Sequence, residues 1–236
     1  MLVFMSLPSH RPTAARPLPV VLFDLDGTLI DSLELLVGAM QHAFETWSGP
    51  RPTVEEWVAT IGRPLLWQFG QYATTTEEVQ HLVGTYRTFQ NEHHDRLTRP
   101  FAGIPSLVER LSTEGHLLGV VTSKGDHLAN RSITHVGLAP FFPVVVGADR
   151  TTKHKPDPDP IRFALRELRA EPAQAVYVGD SPYDMMSANA AGVTSIGVTW
   201  GASALEPLRR GEPQHVVGTV EELDALLAKL RAGFTP

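Results

Sequence analysis

The protein has 236 residues, a formal net charge of -6, 42% hydrophobic residues and 19% charged residues. This composition is ordinary for a globular protein, and its acidic balance gives no reason to expect a nucleic-acid partner. The chain contains no cysteine, which excludes a disulfide framework, a thiolate metal site and a cysteine nucleophile.

We expect a cytoplasmic protein, a monomer or a homodimer, with no membrane partner. No apolar run approaches the roughly 18 residues of a membrane span. Residues 1–18 begin with a short apolar run and continue with proline, arginine and alanine. We interpret them as a flexible leader rather than a signal peptide, because no basic residue precedes the apolar run.

The first regular element is predicted at residues 20–23, VVLF, a continuous apolar run typical of a strand that is buried on both faces. Asp24 ends this run and Asp26 follows. Residues i and i+2 of an extended chain point to the same side, so the two carboxylates face one place. At a separation of about 4 Å they repel by roughly 4 kcal/mol at an effective dielectric near 20, so we expect a proton or a cation between them. Mg²⁺ is the hard cation suited to carboxylate, carbonyl and water ligands.

Residues 32–98 show helical spacing and no convincing strand. Asp31 and Ser32 are suited to cap a helix over residues 33–47, and Thr53 with Glu56 has the pattern of a capping box. Further helices are predicted at residues 66–72 and 76–94. The sequence therefore predicts an all-helical insertion at residues 32–98, placed after the first strand of an α/β domain made of residues 19–31 and 99–236.

From residue 99 onward, strands alternate with helices. Strands are predicted at residues 116–121, 144–147, 175–178, 194–198 and 216–217, and helices at residues 104–114, 126–135, 157–169, 184–191 and 221–231. Helices of about ten residues between strands indicate right-handed crossovers and a parallel sheet that is covered on both faces. Ligands of such sheets bind beyond the carboxyl ends of the strands.

Polar residues stand where three of these strands end. Asp24 closes VVLFD, Thr122 closes HLLGVVT and Asp180 closes AVYVGD. We therefore expect one hydroxyl and several carboxylates at a single edge of the sheet.

These residues carry a resemblance to a known family. Four features of the sequence resemble, in chain order, the four motifs of the haloacid dehalogenase superfamily. They are DLDGTLIDS, Thr122, Lys155 in HKPDPDP, and GDSPYDM. The chain is most similar to its phosphoglycolate phosphatase-like and pyrophosphatase-like members with a helical cap. The resemblance implies a three-layer, Rossmann-like α/β core and a Mg²⁺-dependent phosphatase, acting on a small phosphorylated metabolite such as phosphoglycolate.

The resemblance also implies roles for individual residues. Asp24 would attack phosphorus and form an aspartyl-phosphate, and Asp26 would protonate the leaving oxygen and then activate water. Asp184 would support the metal through water. The implied Mg²⁺ ligands are Asp24, Asp26 through its carbonyl, Asp180 and Asp184, and the implied phosphate-binding residues are Thr122, Ser123 and Lys155.

Three alternatives remain open at this point. YRTFQNEHHDRL resembles the cap helix of bacterial inorganic pyrophosphatases, whereas Ile61 to Leu65 is nearer the form of phosphoglycolate phosphatases. A sugar phosphomutase of the same superfamily is the second alternative. The third is a phosphoacceptor signalling module, which the helical insertion and Asp26 disfavour. Substrate choice is expected to lie in the cap, with Arg63, His93 and His94 as the candidate residues.

Overall fold

The computed structural model of the protein describes residues 20–233, with side chains through Arg231. The predicted leader, residues 1–18, lies outside the described residues. Among residues 20–233, no helix combines the length and the apolar character that a membrane crossing requires.

A six-stranded, all-parallel sheet forms the centre of the molecule. Its strands are β1 (Val20–Phe23), β4 (Leu118–Val121), β5 (Val144–Val146), β6 (Ala175–Gly179), β7 (Thr194–Val198) and β8 (His215–Val217). The strand order is β5-β4-β1-β6-β7-β8. Phe23 is in register with Val120 of β4 and with Val178 of β6, so these three neighbouring strands end at nearly the same level.

Helices cover both faces of the sheet. Val21 and Phe23 pack on one face against α5 (Ile104–Thr113), α6 (Asp126–His135) and α10 (Val220–Gly233), whereas Val20 and Leu22 pack on the other face against α7 (Asp159–Leu168) and α8 (Pro182–Ala191). This alternation follows from the two-residue period of a strand, and it explains why all four residues of β1 are buried. The predicted three-layer α/β fold is confirmed.

Four helices lie between β1 and α5 in the chain: α1 (Leu33–Phe44), α2 (Val54–Val58), α3 (Leu65–Phe69) and α4 (Thr76–His93). They enclose an apolar cluster of their own, in which the Phe44 ring lies 6.2 Å from Trp57 and 5.5 Å from Phe69 between centroids. The predicted capping box is present, because Glu56 N–H donates to Thr53 Oγ1 at 3.1 Å and Thr53 N–H donates to Glu56 Oε2 at 2.8 Å. We call these four helices the helical cap.

A short antiparallel pair, β2 (Ile30–Asp31) with β3 (Arg99–Pro100), joins the two chain segments that connect the cap to the sheet. Strands of two residues show no periodicity, so the sequence did not predict this pair. The short helix α9 (Leu205–Arg209) was also missed.

α1 begins at Leu33 as predicted, but its end and its N-terminal capping differ from the prediction. α1 ends at Phe44 rather than at residue 47, and the Trp47 indole N–H donates to the Pro50 carbonyl at 3.0 Å in the turn that follows. Ser32 precedes α1, but its side chain makes no capping hydrogen bond. Its hydroxyl donates to Asp26 Oδ1 at 2.6 Å instead. The Asp26 carboxylate, six residues earlier in the chain, thus replaces the expected backbone partner.

Candidate active site

The carboxyl edge of the sheet gathers the polar residues that end β1, β4 and β6. Asp24, Thr122 and Asp180 are 4%, 5% and 1% exposed, respectively. Two further residues reach the same edge: Lys155, from the loop before α7, and Asp184, from the first turn of α8. We expected these five residues to meet from the sequence, and the fold brings them together.

Three carboxylates and one ammonium group form the buried centre of this site. Single carboxylate oxygens of Asp24, Asp180 and Asp184 all lie within 4.8 Å of one another. Lys155 Nζ lies 3.0 Å from Asp24 Oδ1 and 2.6 Å from Asp184 Oδ1. If all four groups are ionised, the positive charge of Lys155 balances only one of the three carboxylates, so the cluster has a net negative charge.

The pKa values reflect this excess. Burial raises the pKa of Asp24 to about 7, although the neighbouring Lys155 charge opposes the shift. Burial, followed by repulsion from Asp184 and Asp24, raises the pKa of Asp180 well above its usual range. Burial alone would lower the pKa of Lys155, but the attraction of Asp184 and Asp24 outweighs it and raises that pKa. A second cation in the site would relieve the repulsion that remains.

The donor set fits a hard divalent cation such as Mg²⁺, because its buried ligands are carboxylate oxygens. Asp24 Oδ1 is buried and, although it touches Lys155, accepts no hydrogen bond from the described part of the chain. Asp180 Oδ1 and Oδ2 each accept one bond, from the Thr28 hydroxyl at 3.3 Å and from Ala202 N–H at 2.7 Å. Both carboxylates thus keep lone pairs for a cation.

Asp184 differs from the other two carboxylates, because protein donors already occupy both of its oxygens. Oδ1 contacts Lys155 at 2.6 Å and the Tyr177 hydroxyl at 3.1 Å. Oδ2 accepts from Ser181 N–H at 3.0 Å and from the Ser181 hydroxyl at 2.6 Å. Asp184 therefore fixes Lys155 and the start of α8. The sequence reasoning missed Tyr177, whose only signal was a hydroxyl within the apolar run of β6.

Lys124 is a second residue that the sequence reasoning missed. Its Nζ lies 2.6 Å and 2.9 Å from the two carboxylate oxygens of Asp26, and its side chain is 4% exposed. The available signal was its position two residues after Thr122, at the end of β4.

A cavity of about 400 Å³ lies between the sheet edge and the helical cap. The sheet edge contributes Asp24, Asp26, Thr122 and Lys124 to its wall, and the cap contributes Arg63, Tyr86 and Gln90. The cap touches the sheet domain at this wall, because the Ser123 hydroxyl donates to the Gly62 carbonyl at 2.6 Å. The Ser123 hydroxyl is thus engaged with the cap, and the backbone N–H is the other donor of this residue.

Arg63 lies on the cavity wall, as the sequence expected. Its guanidinium carbon lies 4.3 Å from the Trp67 ring centroid and 5.3 Å from that of Tyr183. Nη1 donates to the Lys155 carbonyl at 3.3 Å, while the buried Nε–H has no hydrogen-bond partner among the described residues.

His93 and His94 lie elsewhere, contrary to the expectation that they face the substrate. Neither is among the residues that line the cavity. The His93 ring packs on Phe89 at 4.2 Å. His94 is fully buried between Asp95 at 2.6 Å and the Ser132 hydroxyl of α6 at 2.8 Å. The contact with Ser132 joins the end of α4 to the sheet domain, so His94 stabilises the packing of α4 and does not face the cavity.

Comparison with known proteins decides the family. A family model described as haloacid dehalogenase-like hydrolase matches residues 21–198, well over half of the chain. The chain belongs to this family. It is therefore a hydrolase, and the signalling-module alternative is excluded.

Two relatives and one solved structure illustrate the similarity. Pyrophosphatase PpaX of Bacillus velezensis is 32% identical over 203 residues, which cover 86% of this chain and 93% of the relative. "Probable phosphatase IndB" of Dickeya dadantii is 35% identical over 224 residues, which cover 92% of this chain and 97% of the relative. The crystal structure of a predicted phosphatase from Clostridium acetobutylicum is 28% identical, has a TM-score of 0.81, and covers 91% of this chain and 100% of its own. The chain is a phosphatase of this hydrolase family.

Proposed function

We propose that this phosphatase is Mg²⁺-dependent and cleaves a small phosphorylated compound through an aspartyl-phosphate on Asp24. The observation that carries the proposal is the buried cluster of Asp24, Asp180 and Lys155, in which Asp24 lines the cavity beneath the cap. Phosphoryl transfer depends mainly on positioning and on charge stabilisation, and this cluster offers both.

Asp24 is the proposed nucleophile because its carboxylate is buried at the cavity floor and its Oδ1 accepts no hydrogen bond from residues 20–233. Lys155, held by Asp184 and Tyr177, keeps its ammonium group 3.0 Å from that oxygen. The Thr122 hydroxyl and the backbone N–H of Ser123 are the proposed donors to the phosphoryl oxygens.

Asp26 is the proposed acid and base. It lies two residues beyond the nucleophile and on the cavity wall, where Lys124 and Ser32 hold its carboxylate. Asp24, Asp180 and the Asp26 carbonyl are the groups proposed to hold Mg²⁺. When bound, Mg²⁺ would supply positive charge that keeps Asp24 ionised and neutralises phosphoryl oxygens.

The proposed substrate carries a second anion close to the phosphoryl group. The cavity is small, and Arg63 presents at its wall a buried Nε–H that has no hydrogen-bond partner within the described part of the chain. A guanidinium group binds a carboxylate or a phosphate strongly, which fits phosphoglycolate-like esters. Pyrophosphate is the second candidate, and the relatives named as pyrophosphatases favour it.

A substrate panel tests the proposal. Wild-type protein should release phosphate from phosphoglycolate or pyrophosphate with Mg²⁺, and a chelator should stop the reaction. Arg63→Ala should lower kcat/KM on these two substrates by about 10- to 100-fold, because it leaves the second anion unpaired in a desolvated site. It should have little effect on p-nitrophenyl phosphate, whose leaving group carries no second anion.

The matched control is Arg96→Ala, which removes an exposed arginine in the turn after α4 and should leave all three activities unchanged. Equal losses on all three substrates with Arg63→Ala would remove Arg63 from a specificity role. Full activity of metal-stripped protein would refute the Mg²⁺ dependence.

A further inference from the structure

Lys124 makes an unusually well-defined contact at the cavity wall. Its ammonium group reaches both oxygens of Asp26, at 2.6 Å and 2.9 Å, and both residues line the cavity. Its backbone is fixed as well, because its N–H donates to Thr122 Oγ1 at 3.2 Å and its carbonyl accepts from Ala148 N–H at 2.9 Å. The side chain therefore extends from a rigid support at the end of β4.

Stability alone does not account for this pair. A lysine and an aspartate that lose most of their hydration gain little net stability from each other, since desolvation offsets the attraction. Asp26 is also held from a second side by the Ser32 hydroxyl, at 2.6 Å from Oδ1. Two donors from different elements, the turn after β4 and the start of α1, thus fix one carboxylate in one orientation at the cavity.

We propose that Lys124 is a positioning residue that aims Asp26 at the leaving group of the substrate. This inference rests on the proposed function. In the first step a bond forms between Asp24 and phosphorus, and the bond from phosphorus to the leaving oxygen breaks. The electron pair of the broken bond stays on the leaving oxygen, which takes a proton from the Asp26 carboxyl. Lys124 acts by keeping that carboxyl within reach, so it is not itself a catalytic residue.

The consequence is a specific dependence on the leaving group. A basic alkoxide leaving group needs the proton from Asp26, whereas an acidic nitrophenol leaves without it. General acid catalysis contributes about 10²- to 10⁴-fold, so a misaimed Asp26 should cost about 100-fold on alkyl phosphates. On p-nitrophenyl phosphate the same defect should cost less than about tenfold.

The test measures kcat/KM for a series of alkyl and aryl phosphates of graded leaving-group pKa. We expect a plot of log kcat/KM against that pKa to be steeper for Lys124→Met than for wild type. Lys124→Arg, which keeps a cation with several donors, should restore most of the wild-type slope. Lys229→Met makes the same change at an exposed position on α10 and should match wild type throughout.

A parallel loss on every substrate, with an unchanged slope, would overturn the inference, because a merely structural role predicts that result. Thermal unfolding identifies any variant that does not fold. If Lys124→Met is such a variant, Lys124→Gln, which keeps one donor toward Asp26, carries the same test. Absence of Mg²⁺-dependent turnover by wild type would overturn the proposed function itself, which distinguishes the two failures.

Discussion

In the metal-free protein, Asp24 should make stability fall as the pH rises. Its pKa is raised from 3.8 to about 7 in the native state, mainly by burial. Between these values the unfolded chain has released this proton while the native protein still holds it. The ionised form is the one that the buried site disfavours, so the stability present at low pH is lost as the pH rises through about 7.

The size of the effect follows from the shift. Each pH unit in which only the native state holds the proton costs about 1.36 kcal/mol, and native Asp24 loses its proton near pH 7, so the change from pH 5 to pH 8 should cost about 2.6 kcal/mol. This corresponds to a decrease in Tm of roughly 5 to 11 °C for a protein of this size. The pKa of Asp180 is also raised, which adds to the loss in the same direction.

The assay is urea unfolding in a chelator at pH 5 and at pH 8, for wild type and for Asp24→Asn. The asparagine cannot ionise, so the free energy of unfolding of the variant relative to wild type should increase by about 2.5 kcal/mol between the two pH values. Mg²⁺ should weaken the pH dependence of wild type, because it binds the ionised carboxylates. Glu77→Gln, at an exposed position on α4, is the control and should show no such change. An identical pH dependence of Asp24→Asn and wild type would show that the pKa of Asp24 is not raised in the native state.

Further predictions concern other parts of the molecule. Burial lowers the pKa of His94, so its contribution to stability should be lost as the pH falls below about 6.5, and urea unfolding of His94→Gln should show a weaker loss on acidification. Trp57 is 1% exposed in the apolar cluster of the cap, and Trp57→Ala should lower the free energy of unfolding by about 3 to 5 kcal/mol in the same measurement. Ca²⁺ should inhibit turnover in a phosphate-release assay, because its larger coordination shell draws in the second oxygen of Asp24; activation by Ca²⁺ would contradict this.

The sequence predicted the sheet edge because its signals are local. An apolar run that ends in a polar residue marks both the strand and its carboxyl end, and parallel pairing then brings Asp24, Thr122 and Asp180 together. The fold and most of the long helices follow from the same periodicity.

The contacts that were missed depend on side-chain direction across distant elements. Lys124 and Asp26 are 98 residues apart, and Tyr177 meets Lys155 across 22 residues. Periodicity carries no information on such pairs. His94 was misplaced for a related reason, since adjacent histidines at a helix end look exposed in sequence, whereas the contact with Ser132 of α6 buries His94. The specificity role of Arg63 stays a prediction.

Asp24 is the residue proposed to carry the phosphoryl group during turnover. The most direct test is rapid acid quench of Asp26→Asn during turnover, followed by mass spectrometry of its peptides, because loss of the water-activating base should let the intermediate accumulate. We expect one added phosphoryl group on the peptide that contains Asp24, and no such group and no turnover in Asp24→Asn. Substantial phosphate release by Asp24→Asn, or a phosphoryl group on another residue, would contradict it.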